Sequence, residues 1–392
     1  MKVRIRFIMI VAIAVPCISL SAKTIRIPAD YPKIQSGIDS AKDGDTVLVA
    51  DGVYESTDEY NTEVVNFRGK KIVVKSENGP KNCILKKGDD VVRFNSGETH
   101  RSVLDGFTLT DADPGAAIEC YRSSPTIINN IICNNWSEYG LGAIYLENSS
   151  AVLMDNEFFG NKVYGECAGI ICSDSTIVTI TNSTFFGGSL GNSMNSAFVG
   201  VLCDSNSSAM ITNSIFWHSG SLGFDHCTIL YSCIDKEVAG TNNIYTYPEF
   251  ADTIAFNFSL KANSKCINAG TEDTIGLNLP RVDILGKNRI FNKRIDIGAY
   301  EFQNVVSIHN TEMLSIEIFP IPAKDKANIK FNRLTGNSAI IEIYSLNGKK
   351  IFSKSIPKTL NLTIDLTGNP KGVYILCLTT DGEIFNKKIC IE

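Results

Sequence analysis

The sequence predicts an all-β protein: a parallel β-helix followed by a small antiparallel β-sandwich. Three observations lead there. The chain says nearly the same seven residues twice, "ITNSTFF" at 180–186 and "ITNSIFW" at 211–217. Those stretches belong to a longer series of short apolar runs broken by Asn, Asp, Ser and Gly. From residue 315 onward the pattern changes to apolar residues at every second position.

Residues 1–22 read as a secretory leader. Lys2, Arg4 and Arg6 precede the apolar run "FIMIVAIAVPCISL", and small residues end at Ala22. The run is too short for a membrane span, and polar sequence follows at once. Cys17 follows Pro16 and lacks the small neighbour that lipid attachment wants. No later stretch is long and apolar enough to span a bilayer as a helix.

The formal charge of −5 becomes −8 once the three basic leader residues are removed. Lys23 to Glu312 carries 23 basic against 35 acidic residues, whereas Met313 onward carries 11 against 7. An acidic body disfavours nucleic acid as a partner. The change of sign near residue 312 marks a boundary. The expected organisation is a leader at 1–22, a β-helix with an N-terminal cap helix at 23–302, a linker at 303–314 and the sandwich at 315–392.

Next comes "DYPKIQSGIDSAKDGDTVLVADGVYES". Ile34, Ile38 and Ala41 fall on one helical face, and a strand-like alternation follows. An amphipathic helix here would protect the open apolar end of a β-helix from edge pairing.

The coils begin at "VLDGFTL" (103–109) and continue through "IINNII" (127–132), "LMDNEFF" (153–159) and the two near-identical stretches. Each joins an apolar residue, a polar corner and one or two further apolar residues. The corners are Asp105, Asn129, Asp155, Asn182 and Asn213, spaced by 24, 26, 27 and 31 residues. Two further strand-like runs lie between successive corners. Three strands per period suit a parallel β-helix, in which each coil must match the one before it. Asn and Asp tolerate the left-handed backbone of a sharp corner, and stacked Asn amides bond to one another.

The cap segment resembles the start of pectin-lyase-like right-handed β-helix proteins, which open with an "IQ…AI..A..GDTV.V..G.Y" pattern. "EFADTIAFNFSLKANSKCINAG" and "RIDIGAYEF" resemble the closing segment of a bacterial surface subgroup, whose helices end in Asp-Ile-Gly-Ala-Tyr-Glu, here Asp296 to Glu301. The resemblance implies a right-handed β-helix over most of residues 24–302. It implies little about chemistry.

After the linker, "LSIEIFPIPAKDKANIKF", "AIIEIYSLNGKKIFSKSI", "LNLTIDLT" and "GVYILCLTTDGEIFNKKICIE" alternate and meet at tight turns. This region resembles the C-terminal sorting domain of the type IX secretion system. The resemblance rests on Pro320, Pro322 and Ala323, the hairpin with Gly348 and Lys349, the pair Gly372 and Tyr374, and Lys387 with Lys388. Ile321 stands where that family usually has Asn, and Glu392 ends a tail that is usually apolar or basic. The resemblance implies type IX secretion machinery as a partner and a secreted or outer-surface location. An ordinary adhesive sandwich is the plainer alternative.

Of twelve cysteines, one leaves with the leader, and the odd remainder forbids complete internal pairing. Most sit singly in apolar runs, where a thiol acts as a small hydrophobe. Cys167 with Cys172, and Cys227 with Cys233, are near enough in sequence to pair. No CxxC motif suggests zinc.

Cleavage of polysaccharides would need paired carboxylates, or a base together with bound calcium, at matching phases of neighbouring coils. The solvent phases offer mostly Ser, Thr and Asn, and no catalytic residue is named. Glu147, Asp174 and Asp204 close successive second strands. They form either a weak calcium ladder or a set of solvated corners; no other cofactor is implied. His218 and the pair Asp225-His226 are further weak candidates. Loop aromatics are more informative. Trp136 and Tyr139 in "NNWSEYGLG", and Tyr164 in "GNKVYGECAG", suit stacking on a sugar face. The alternative is that the rings fold down and cover the coil. The expected function is glycan binding or adhesion, with a polysaccharide lyase or hydrolase, or a passive surface spacer, as alternatives.

Overall fold

The computed structural model describes residues 22–56, 63–165, 167–187, 189–190, 199–217, 224, 226–291, 294–303, 316–331, 338–357, 361–380 and 383–392. The chain divides into two compact units, Met1–Gln303 and Asn304–Glu392.

In the first unit, ten, eight and six strands form three parallel sheets. One coil takes Thr126–Ile128 in the ten-stranded sheet, Ile131–Cys133 in the eight-stranded sheet and Ile144–Glu147 in the six-stranded sheet. The next coil repeats this with Val152–Met154, Glu157–Phe159 and Ile170–Ser173. Corresponding residues stack: Ile127 pairs with Leu153, Leu153 with Ile180, and Ile180 with Ile211. Phe158, Phe185 and Phe216 form an interior column with ring centroids 4.2 and 4.4 Å apart. The repeat of seven residues is this column and its corner.

The left-handed corner residues are Gly106, Asn129, Asp155, Asn182 and Asn213, followed by Tyr231 and Asn242. Asp105 is a correction to the sequence reading, because it pairs with Ile128 and ends a strand one residue before its corner. The hydrogen-bonded ladder also sits one residue later than the corners. Asn156 Oδ1 accepts from the backbone N–H of Asn130 at 3.0 Å and from its Nδ2 at 3.2 Å. Ser183, Ser214 and Ser232 continue it, each hydroxyl oxygen accepting the preceding coil's N–H. These side chains are buried and satisfy backbone groups that the sharp turn removes from the sheets.

The cap helix spans Ile34–Ser40 and buries Ile34 and Ile38, with Ala41 just beyond its end. Lys70 Nζ donates to the carbonyls of Ile38, Asp39 and Ala41 at 2.7–2.8 Å. A cation thus satisfies the carbonyls that a helix C-terminus leaves open.

Residues 250–300 do more than close the far end. Phe250, Phe258, Leu260, Cys266, Ile297 and Tyr300 form a second apolar cluster with Ile131, Cys133, Phe159 and Ile215 on the outer face of the eight-stranded sheet. This explains the paired apolar residues after each corner: both faces of those strands are buried.

The second unit is a sandwich of a three-stranded and a four-stranded antiparallel sheet. Its core includes Ile329, Phe331, Ile341, Ile343, Leu376 and Leu378.

Candidate functional site

The loop that carries the aromatic candidates is built by coil stacking. Trp136–Ser137, Lys162–Val163 and Ser189–Leu190 form a three-stranded parallel ribbon, with Trp136 opposite Lys162. Ser137 and Val163 point inward and are buried, which leaves Trp136 half-buried and Lys162 exposed. Ser137 Oγ accepts the N–H of Leu141 at 2.9 Å, and its carbonyl accepts that of Tyr164 at 2.8 Å. The preceding coil supports the loop through Pro114, whose carbonyl accepts from Glu138 and Tyr139. Gly140 and Gly142 have positive φ, and a Cβ on Gly142 would lie 2.8 Å from the Gly169 carbonyl oxygen. Glycine therefore permits the close stacking of these loops.

Tyr139 and Tyr164 project from the stacked loops and are 68% and 64% exposed. They do not lie flat over the coil. The register offsets them: Lys162, not Tyr164, is the neighbour of Trp136. The structure thus brings the three rings to adjacent coils but not into one column.

Each loop leads into a strand of the six-stranded sheet. Arg93, Glu119, Tyr145, Ile171 and Leu202 stack in one column there. Arg93 pairs with Asp90 at 2.5 Å, Glu119 at 2.8 Å and Glu63 at 3.6 Å. Burial, reinforced by the charge of Asp90, raises the pKa of Glu119 against the pull of Arg93. The Tyr145 hydroxyl contacts Glu147 at 3.0 Å and Ser173 at 2.9 Å. Arg122 lies over the Tyr121 ring, 5.0 Å from its centroid.

Of the three acidic candidates, Asp174 sits one position out of register with Glu147. Glu147 pairs with Ser173, not Asp174. Asp204 accepts the backbone N–H groups of Asp174 at 2.8 Å and Asn206 at 3.0 Å, so its carboxylate serves a turn. Those bonds, with the Ser207 hydroxyl first among the causes, lower its pKa. Among the described residues, no group of three or more His, Cys, Asp or Glu side chains is arranged to hold a metal ion. His218 and Asp225 lie outside the described residues.

Sequence reasoning missed a buried ionic cluster beneath the closing segment. Arg289 Nη1 lies 3.4 Å from Asp155 and Nη2 lies 3.8 Å from Glu301, all about 1% exposed or less. Arg289 also donates to the carbonyls of Asp296 and Gly298 at 3.0 and 2.9 Å. Tyr300 donates its hydroxyl to Glu157. Asp283 accepts the N–H of Glu301, and Asp296 those of Asn268 and Phe302. Burial pushes Asp155 and Glu157 up to about 7 and Glu301 up to about 8. Such values often mark catalysis, but these groups are sealed from solvent. Their work is to fasten the closing segment. A signal was present: Asp155 and Glu157 are acidic where the next coils have Asn182 and Thr184.

Residues 70–232 match the family model of the right handed beta helix region, and residues 317–392 match that of the secretion system C-terminal sorting domain. The chain is a right-handed β-helix protein with a type IX sorting domain. Comparison with curated proteins returns no match. Among solved structures, pectate lyase Pel9A is similar over 73% of this chain and 98% of its own, at 12% identity and a TM-score of 0.31. The sorting domain makes the β-helix protein secreted or attached at the outer cell surface. No helix among the described residues is long and apolar enough to cross a membrane.

Within the sorting domain, Ala323 is buried and donates its N–H to the Cys390 carbonyl at 2.8 Å. Gly348 supplies the positive φ of the hairpin that ends at Lys349. Tyr374 follows two residues after Gly372, is buried and donates its hydroxyl to the Pro370 carbonyl at 2.7 Å. Pro320 and Pro322 follow cis peptide bonds, and Lys387 and Lys388 are exposed.

Proposed function

We propose that the β-helix is a glycan-binding or adhesive module, without a catalytic centre, that the sorting domain delivers to the outer surface or the medium. The observation that carries this reading is the exposure of Tyr139 and Tyr164 on stacked, glycine-shaped loops beside half-buried Trp136. A pyranose face stacks on such rings, while exposed Lys162 would pair with acidic substituents and exposed Glu138 would accept from hydroxyls. The coils hold the loops in a fixed stack, so little ordering entropy opposes binding.

Polysaccharide cleavage is the second reading, and Glu119 favours it. This carboxyl, with its raised pKa, stands beside Arg93 on an outward column of the six-stranded sheet. Both readings are tested together. The mature chain is incubated with plant, host and bacterial polysaccharides, with and without calcium, and retention and new chain ends are measured in the same samples. The binding reading expects retention without new ends, and at least a tenfold loss of retention in a stable Trp136→Ala/Tyr139→Ala/Tyr164→Ala variant. Unchanged retention in that variant would remove the patch. New ends that vanish in Glu119→Gln would establish the second reading instead.

A further inference from the structure

Among the described residues, the last strand of the six-stranded sheet is Val201–Cys203, and the other two sheets continue to Cys233–Ile234 and Gly240–Thr241. Two groups of thiols lie among these last coils.

Cys203 stacks in register on Cys172, and both are buried. Cys227 begins the next strand of the ten-stranded sheet, pairing with Ala209. Its Sγ lies 3.6 Å from the Val201 carbonyl, on the same strand as Cys203. Cys203 shares one packed cluster with Cys172 and Cys227. The two neighbours are not equivalent. In-register parallel strands hold their side chains near the strand spacing of about 4.8 Å, wider than the roughly 3.5–4.5 Å between Cβ atoms that a disulfide prefers. Cys227 approaches from a different sheet and escapes that constraint.

The second group joins the final strand of the eight-stranded sheet to the closing segment. Cys233 and Cys266 are both fully buried in one cluster with Phe250 and Phe258. The Cys266 carbonyl accepts the N–H of Ile297, within the Asp-Ile-Gly-Ala-Tyr-Glu stretch. A crosslink here would tie the last coil to the segment that covers the sheet.

We propose that export closes two disulfides, Cys203 to Cys227 and Cys233 to Cys266, which staple the last coils of the β-helix and its closing segment. A protein sent to the outer surface passes through an oxidising compartment where such bonds form and persist. The oxidant is a small-molecule or protein disulfide. One cysteine thiolate attacks it, forming a mixed disulfide and releasing one thiol. The partner thiolate then displaces the second thiol, so two electrons and two protons pass to the oxidant. The bonds form before the coils seal, because all four sulfurs lie in the folded interior or beside it. In the structure all four stand as free thiols, as do Cys167 and Cys172.

The full chain is refolded with oxidised and reduced glutathione, alkylated in denaturant without reduction, digested and mapped by mass spectrometry. The expected map shows the 203–227 and 233–266 linkages, with Cys83, Cys120, Cys133, Cys167, Cys172, Cys377 and Cys390 alkylated as thiols. Only thiols at all positions would overturn the proposal. A Cys172–Cys203 linkage would overturn its first pairing. Oxidised protein should melt roughly 5–10 °C above the same protein reduced, as expected for loops of this size. The Cys203→Ser/Cys227→Ser and Cys233→Ser/Cys266→Ser variants should each lose part of that difference. Where a variant fails to fold, the wild-type map alone decides.

Discussion

Arg289 and Asp155 meet at 3.4 Å inside the protein, one from the closing segment and one from the corner of a middle coil. Neither Asp155 oxygen has a hydrogen-bond partner, so the contact is ionic rather than a formed bond. A buried pair of this kind costs more to break than to replace. At about pH 8.5, above the raised values of both carboxyls, Arg289→Met leaves Asp155 and Glu301 buried without their cation and should cost about 3–5 kcal/mol in urea unfolding. Adding Asp155→Asn to that variant restores the residue found at the next two corners and should recover at least about half of the loss. A loss below about 1 kcal/mol for Arg289→Met would show that the cluster does not hold the segment.

Stability should fall as pH rises from about 5.5 to 8.5. Asp155, Glu157 and Glu301 are raised in the folded state, to about 7, 7 and 8, because burial disfavours their charged forms. A raised folded pKa means that the native state holds protons the unfolded chain has released. The resulting stability is complete below the unfolded values near 4 and is lost as pH climbs through 7 and 8. Each group contributes a slope of up to about 1.4 kcal/mol per pH unit. Asp45 and Asp204 have lowered values and act only at more acidic pH. The urea midpoint, followed across this range, should decline, and Glu157→Gln should flatten the decline. A midpoint that rises with pH would contradict the protonated cluster.

Asn156 should matter far more than its exposed neighbours of the same type. Its side chain accepts twice from Asn130 and donates to the Ile127 carbonyl at 2.8 Å, all in the interior. Asn156→Ala strands those buried groups and should cost about 2–4 kcal/mol. Asn206, exposed and in a turn, should change stability by less than about 0.5 kcal/mol when replaced by Ala. Comparable losses at both positions would mean that the ladder is carried elsewhere.

The coil repeat was legible because stacking demands similarity, so "ITNSTFF" and "ITNSIFW" had to match where Phe185 meets Phe216. The ladder's phase was less legible. Asn129 and Asn130 are identical in the sequence, and only the backbone decides which bends and which bonds inward. Tyr139 and Tyr164 could be found as loop aromatics, yet their one-residue offset depends on how the ribbon registers Trp136 with Lys162. Arg289 was illegible because Asp155, its partner in the coils, lies far away in sequence. The acidic departures at Asp155 and Glu157 were the available trace of it.

The cap helix offers a local test of how a β-helix guards its end. Seven residues are too few for a helix to persist unaided, so Ile34–Ser40 relies on packing and on its terminal bonds. Lys70 supplies three of those bonds from a neighbouring coil. Lys70→Met keeps most of the aliphatic stem and removes the donors. It should raise amide exchange across residues 34–41 by roughly tenfold or more, while the coil around Phe185 remains protected, because opening is local to the cap. Equal loss of protection in cap and coil would mean that the cap and coils open as one unit. Unchanged exchange in the cap would assign its stability to Ile34 and Ile38 alone.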